Sequence, residues 1–126
     1  MLTGLVAYSA LLIGISVLPL SSATNNSLSS IYFLEFRLDH LLHVLIFTIW
    51  GGLASMNANK LAKERNKTLF YLFLVGLGLA VLTEYVQKFL PYRGYNVNDL
   101  LGNVIGIFLS FGVIFATEAH RRRRST

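Results

Sequence analysis

Four stretches of mostly apolar residues alternate with short polar segments along the chain. They cover about residues 5–20, 38–56, 68–90 and 98–119. A membrane-spanning helix needs about 20 apolar residues, so the last three stretches have the expected length and the first is short. The pattern predicts an all-α membrane protein, a bundle of four transmembrane helices that forms one domain over residues 1–126.

The polar segments carry signals that end or begin helices. Pro19 and the Ser/Asn-rich run at 21–30 end the first helix. Pro91 disfavours helical geometry in the residue before it, so the third helix is expected to end there. Asn98 is expected to cap the start of the fourth helix.

The first stretch has a second interpretation as a cleaved signal peptide. Ser21 and Ala23 resemble a small-residue cleavage site. A signal peptide, however, usually begins with a positive segment, and no Lys or Arg precedes Arg37. This favours an uncleaved helix.

The composition agrees with a membrane protein. The chain is 54% hydrophobic and 13% charged, which leaves too little polar surface for a soluble domain of 126 residues. It has no cysteine, so disulfides and thiolate metal sites are excluded. The net charge of +5 does not indicate a nucleic-acid partner, because eight of the eleven basic residues lie in two clusters beside apolar segments.

These basic clusters predict the topology. One consists of Lys60, Lys63, Arg65 and Lys67, and the other occupies residues 121–124. Basic loops stay in the cytoplasm, and four spans bring both clusters to the same side. Both termini of this multi-pass protein are therefore expected in the cytoplasm. The Arg run could also contact anionic lipids.

Polar residues within the apolar stretches concentrate towards the opposite, outer side. The rise of about 1.5 Å per residue puts His43, Glu84 and Asn103 roughly 7–9 Å below the outer helix ends. The loop before the fourth helix is short, so Glu84 should lie near Asp99 and Asn103.

Helical spacing assigns these residues to interior faces. The faces are Asp39, His43, Phe47 and Gly51 on the second helix; Gly76, Ala80 and Glu84 on the third; and Asp99, Gly102, Asn103, Gly106 and Ser110 on the fourth. Small residues let membrane helices approach closely, and the Gly102/Gly106 face is also a candidate for oligomer contact. Ionised groups on interior faces need partners, water or a ligand.

The same residues resemble the motifs of the VanZ-like family of bacterial membrane proteins. Asp39 and His43 in LDHLLHVLIF are similar to its Asp-x-x-x-His, and NDLLGNVIG at 98–106 is similar to its Asp-x-x-x-Asn-x-x-Gly. Glu84 with Gln87 gives Glu-x-x-Gln, followed by the loop residue Arg93. His40 departs from the family, in which many relatives have Lys. The resemblance covers residues 38–110.

The resemblance implies a multi-pass protein in a bacterial inner or plasma membrane. It also implies a role at the cell envelope, because the family's namesake is linked to resistance to teicoplanin-type glycopeptide antibiotics. We expect an outward polar pocket that binds a lipid head group, a cell-wall precursor or a glycopeptide. No cofactor is expected. The expected ligand-binding residues are Asp39, His43, Glu84, Gln87, Arg93, Asp99 and Asn103.

Structural roles remain open for the same residues. Asp39 and Asp99 could cap helix starts. Capping does not account for Glu84, which is near a helix C-terminus and could pair with Lys88 or Arg93. His43 could be an interior histidine bonded to Glu84 or Asn103, while Asn103 and Gln87 could join helices.

An enzyme is the alternative to a binding protein. His43 would be the general base, and Asp39 or Glu84 would orient it or act as an acid on a lipid-linked substrate. No metal site is predicted, because one clustered histidine with several carboxylates is a poor zinc site. Asp39, Glu84 and Asp99 could together hold a hard cation, but nothing else in the sequence supports such a site. No role is assigned to His40 or His120.

Overall fold

The computed structural model describes most of the chain. The described residues are 2–18, 32–33, 36–61, 64–92 and 94–124. The cleavage site considered at Ser21 and Ala23 and the expected ligand-binding residue Arg93 lie outside them.

Four helices coincide with the four apolar stretches. They are α1 (Leu2–Val17), α2 (Leu38–Leu61), α3 (Arg65–Gln87) and α4 (Val97–Arg124). The all-α prediction is confirmed, with one addition: β1 (Tyr32–Phe33) and β2 (Phe36–Arg37) form a short antiparallel ribbon just before α2. Within the described residues, α2, α3 and α4 are long and apolar enough to cross a membrane. The 16 residues of α1 extend only about 24 Å, less than the roughly 30 Å of a hydrocarbon core.

Several helix bounds differ from the prediction: α1 begins and ends three residues earlier, and α2 and α4 each end five residues later. Two further differences have a local cause. The α-helical part of α3 ends at Gln87, three residues early, because the N–H groups of residues 88–90 bond to carbonyls three residues back and tighten the chain before Pro91. Asn98 does not cap α4. The cap is Asn96, whose Oδ1 accepts the N–H of Asn98 at 3.0 Å and whose carbonyl accepts that of Leu100 at 3.1 Å.

The bundle is built around α2, which packs most extensively against α4. Glycines on α4 allow this contact: a Cβ at Gly102 would lie 3.1 Å from the His40 carbonyl oxygen, and one at Gly106 would overlap the Val44 carbonyl. The Gly102/Gly106 face considered for oligomer contact is therefore used for packing within the chain.

The first helix lies against α2 and α3. Tyr8 donates its hydroxyl to the Ile46 carbonyl at 3.1 Å, and the Trp50 indole donates to Ser9 Oγ at 2.9 Å. Trp50 is fully buried, while large apolar side chains cover much of the outer surface of the bundle. That surface is suited to contact with lipid tails.

Contacts at the helix ends give the helix directions. At one end, Tyr92 after α3 donates to the Val17 carbonyl at the end of α1, at 2.9 Å. The starts of α2 and α4 meet at this same end. At the other end, Arg65 at the start of α3 forms an ion pair with Glu118 near the end of α4. The described parts of the two basic clusters thus lie at one end of the bundle, opposite the polar residues.

Candidate functional site

Polar side chains converge where α2 and α4 begin and α3 ends. The faces predicted from helical spacing turn inward: Gly76, Ala80 and Glu84 are all buried on α3, and Asn103 is buried on α4. Glu84 is 0% exposed and Asn103 is 1% exposed. An acid and an amide at such depth need hydrogen bonds to offset the loss of water.

Three helices contribute one residue each to the deeper part of this cluster, which we call the inner group: His43, Glu84 and Asn103. The Asn103 Nδ2 group donates to Glu84 Oε1 at 3.2 Å. The other end of the same amide, Oδ1, lies 2.8 Å from His43 Nδ1. His43 Nδ1 is also 3.9 Å from Glu84 Oε1. The Asn103 amide therefore joins α2, α3 and α4.

The hydrogen bonds of the inner group orient the His43 ring. A carboxylate only accepts, so the Asn103 amide presents its NH2 to Glu84 and its oxygen to His43. His43 Nδ1 must then carry a proton and donate it. In the neutral ring this leaves Nε2 as the basic atom, and Nε2 lies 3.9 Å from Asp99 Oδ2.

Closer to the starts of α2 and α4 lies a second set, which we call the rim group: Asp39, His40 and Asp99. His40 Nδ1 lies 2.8 Å from Asp99 Oδ1 and 3.7 Å from Asp39 Oδ1. Asp39 also accepts the backbone N–H of His40 at 2.9 Å. Their side chains are 16–20% exposed, so water reaches the rim group while the inner carboxylate is closed off.

The two groups together hold three carboxylates and two histidines, so the cluster favours the binding of positively charged groups. Asp39 and Asp99 lie in the first turns of α2 and α4, where the helix dipole stabilises an anion. Glu84 lies in the last turn of α3, where the dipole opposes it. Its compensation must come from neighbouring side chains.

The structure brings together five of the seven expected site residues: Asp39, His43, Glu84, Asp99 and Asn103. Gln87 is buried one turn beyond Glu84. Lys88, considered as a partner for Glu84, is exposed, and its Nζ lies 6.0 Å from the Tyr85 ring centre.

Sequence reasoning missed His40. The available signal was its spacing, because His40 and His43 are three residues apart on one face of α2 and His40 directly follows Asp39. The cluster thus contains two histidines, whereas one was counted from the sequence. Among the described residues, ligand atoms of Asp39, His40 and Asp99 lie within 4.8 Å of one another, close enough to hold a metal ion.

These features define a class: a small helical membrane protein whose polar side chains are gathered at one end of the bundle. A family model described as VanZ/LLP1 matches residues 5–118. The chain therefore belongs to the VanZ/LLP1 family, and the resemblance seen in its motifs is confirmed. No curated protein and no solved structure matches the chain.

Proposed function

We propose that this protein is a four-span envelope protein whose polar cluster binds a ligand at the outer face of the bacterial inner or plasma membrane. Both termini and both basic clusters would be cytoplasmic, following the positive-inside rule. In this topology α1 is the fourth span. Its short length would be accommodated by local thinning of the bilayer.

One observation carries the proposal: hydrogen-bonding groups continue from the water-accessible rim group through His43 to the buried side chains of Glu84 and Asn103. A purely structural brace would be expected to be closed on all sides. Here Asp99 faces His40 with one oxygen and His43 with the other, so a ligand entering at the rim meets a polar path inwards.

The chemistry of the ligand follows from the charges. Three carboxylates and two histidines favour a group with ammonium, amide or hydroxyl donors. Such donors occur on a lipid head group, a cell-wall precursor or a glycopeptide antibiotic. A glycopeptide or its target would connect the site with the teicoplanin-type resistance of the family's namesake, while Arg93 would meet an anionic part of the ligand.

The test compares Glu84→Gln and Asp99→Asn, singly and together, with Glu118→Gln, an acid at the opposite end of the bundle. Each variant is expressed in a glycopeptide-susceptible bacterium, and lipid bound to the purified protein is identified by mass spectrometry. We expect the site variants to lose bound ligand and any protection against teicoplanin, and Glu118→Gln to keep both. Unchanged ligand and susceptibility in a normally expressed double variant would refute the proposal.

A second candidate, a membrane enzyme, is favoured by the orientation of His43. With Nδ1 donating to Asn103, the Nε2 atom is available to accept a proton from water or a substrate hydroxyl. The resulting oxygen nucleophile would attack a lipid-linked substrate, and the proton would return to the leaving group. Asp99, 3.9 Å from Nε2, would stabilise the charged imidazole in this role.

Lipid profiling separates the two functions. Cells that express the wild type are compared with cells that express His43→Ala, and His120→Ala controls for removal of a histidine elsewhere. An enzyme predicts an envelope lipid whose mass changes only with His43→Ala. Identical lipid masses in all three strains would exclude this second candidate and leave binding as the function.

A further inference from the structure

The rim group brings one imidazole nitrogen and two carboxylates from two helices close together. Asp39 Oδ1 accepts the backbone N–H of His40 at 2.9 Å, which holds the Asp39 carboxylate beside the His40 ring. His40 Nδ1 lies 3.7 Å from Asp39 Oδ1 and 2.8 Å from Asp99 Oδ1 on α4.

We propose that Asp39, His40 and Asp99 form a binding site for a divalent transition-metal ion at the rim of the polar cluster. Their ligand atoms lie within 4.8 Å of one another. Zinc bonds of about 2.0–2.2 Å in tetrahedral geometry put neighbouring ligand atoms about 3.3–3.6 Å apart. The distances of 2.8 and 3.7 Å from His40 Nδ1 lie on either side of this range, so small side-chain movements complete the site.

The ligand types select the class of metal. Mg²⁺ and Ca²⁺ prefer an all-oxygen shell, whereas an imidazole nitrogen suits Zn²⁺, Co²⁺ and related ions. Two carboxylates offset the charge of a divalent ion. Three protein ligands leave at least one position for water, and the 16–20% exposure of these side chains gives the ion and that water access.

A supporting shell is present behind the ligands. Asp99 Oδ2 lies 3.9 Å from His43 Nε2, and His43 is held through Asn103 by Glu84. Groups that orient the ligands in this way commonly change metal affinity by about 10–100-fold when they are removed. Binding would replace the proton on His40 Nδ1, which would pass to Nε2 in the neutral ring or to solvent from the charged ring, and Asp99 would then interact with the ion. This inference does not rest on ligand binding by the inner group.

The experiment uses the full chain in detergent, without added lipid and with an affinity tag that lacks histidine. The chain has no cysteine, so thiols give no background. Zn²⁺ and Co²⁺ binding are measured by titration calorimetry, and the visible spectrum of Co²⁺ reports its coordination. We expect one ion per chain, and binding weakened by more than about tenfold in His40→Ala.

Two further variants make the result decisive. His120→Ala removes an exposed histidine at the far end of α4 and should bind as the wild type does. Asp99→Asn keeps an oxygen that accepts from His40 but removes the charge, so it should keep the helix contact and lose the ion. Fluorescence of Trp50, the one tryptophan, checks folding of every variant.

Three outcomes would overturn the metal site: a wild type that binds neither Zn²⁺ nor Co²⁺, equal affinity in His40→Ala and His120→Ala, or wild-type affinity in Asp99→Asn. If His40→Ala fails to fold, the folded Asp99→Asn variant decides. The binding proposal fails separately, through Glu84→Gln with bound lipid as the readout.

Discussion

At the scale of single residues, Asn103 is the link on which the inner group depends. Its amide donates to Glu84 and accepts from His43, and therefore uses both ends of one side chain to join two other helices. Asp39 and Asp99 have the additional support of helix dipoles, but the contacts of Asn103 are made entirely between side chains of different helices. Loss of Asn103 should affect stability more than loss of a buried amide elsewhere.

Asn103→Ala is expected to lower the free energy of unfolding by about 1–2 kcal/mol, since interhelical hydrogen bonds in membranes have modest net values. The matched control is Asn57→Ala. Asn57 is also buried, but its amide donates at 2.7 Å to Leu53 of its own helix. Unfolding in detergent, followed by Trp50 fluorescence, measures both. If Asn57→Ala lowered the free energy of unfolding by as much as Asn103→Ala or more, the importance of the interhelical link would be contradicted.

At the scale of elements, the contact between α2 and α4 brings the rim group together. Gly106 lies at the closest approach: an added Cβ would overlap the Val44 carbonyl and lie 3.0 Å from Phe47 Cβ and 3.1 Å from the Thr48 nitrogen. Most of these neighbours are backbone or backbone-attached atoms, which cannot turn away. The helices themselves would have to separate.

Gly106→Ala should therefore destabilise the bundle by about 1–3 kcal/mol, as other overpacked cores are destabilised. Gly112→Ala is the control on the same helix, because its added Cβ would meet nothing within 4 Å. The control should be neutral or stabilise by up to about 1 kcal/mol through helix propensity. Unfolding in detergent measures both, and equal stability of the two variants would contradict close packing at Gly106.

At the scale of the whole molecule, the charge distribution predicts an orientation in the membrane. The described parts of both basic clusters lie at the end where Arg65 meets Glu118, and the rim group lies at the other end. The chain has no cysteine, so a single introduced cysteine is a unique label. Asn98 and Asn66 are exposed residues near the two opposite ends.

We expect a membrane-impermeant maleimide to label Asn98→Cys in intact cells and Asn66→Cys only after the membrane is opened. The cysteine-free parent chain controls for labelling of other proteins. Labelling of Asn66→Cys alone in intact cells would mean that the protein has the opposite orientation in the membrane. Labelling of both would mean that the two ends are on the same side, and the four-span topology would be wrong.

Much of this architecture was predictable because it depends on local periodicity. The apolar stretches indicated four helices, and the spacing of Gly76, Ala80 and Glu84 identified a face that is buried in the structure. The short connection between α3 and α4 predicted that Glu84 and Asn103 would meet, and they share a hydrogen bond. The N-cap was assigned to Asn98 instead of Asn96, because both residues are asparagines next to the helix start.

By itself the sequence determined the class of protein, the number of helices and the inward faces, since these follow from apolar length and from 3.6 residues per turn. The contacts of the rim group, in contrast, depended on the tertiary structure. Close packing at Gly102 and Gly106 sets the distance and rotation between α2 and α4, and this brings His40 to Asp99. No periodicity within one helix carries that information, because it depends on the shapes of two helices together.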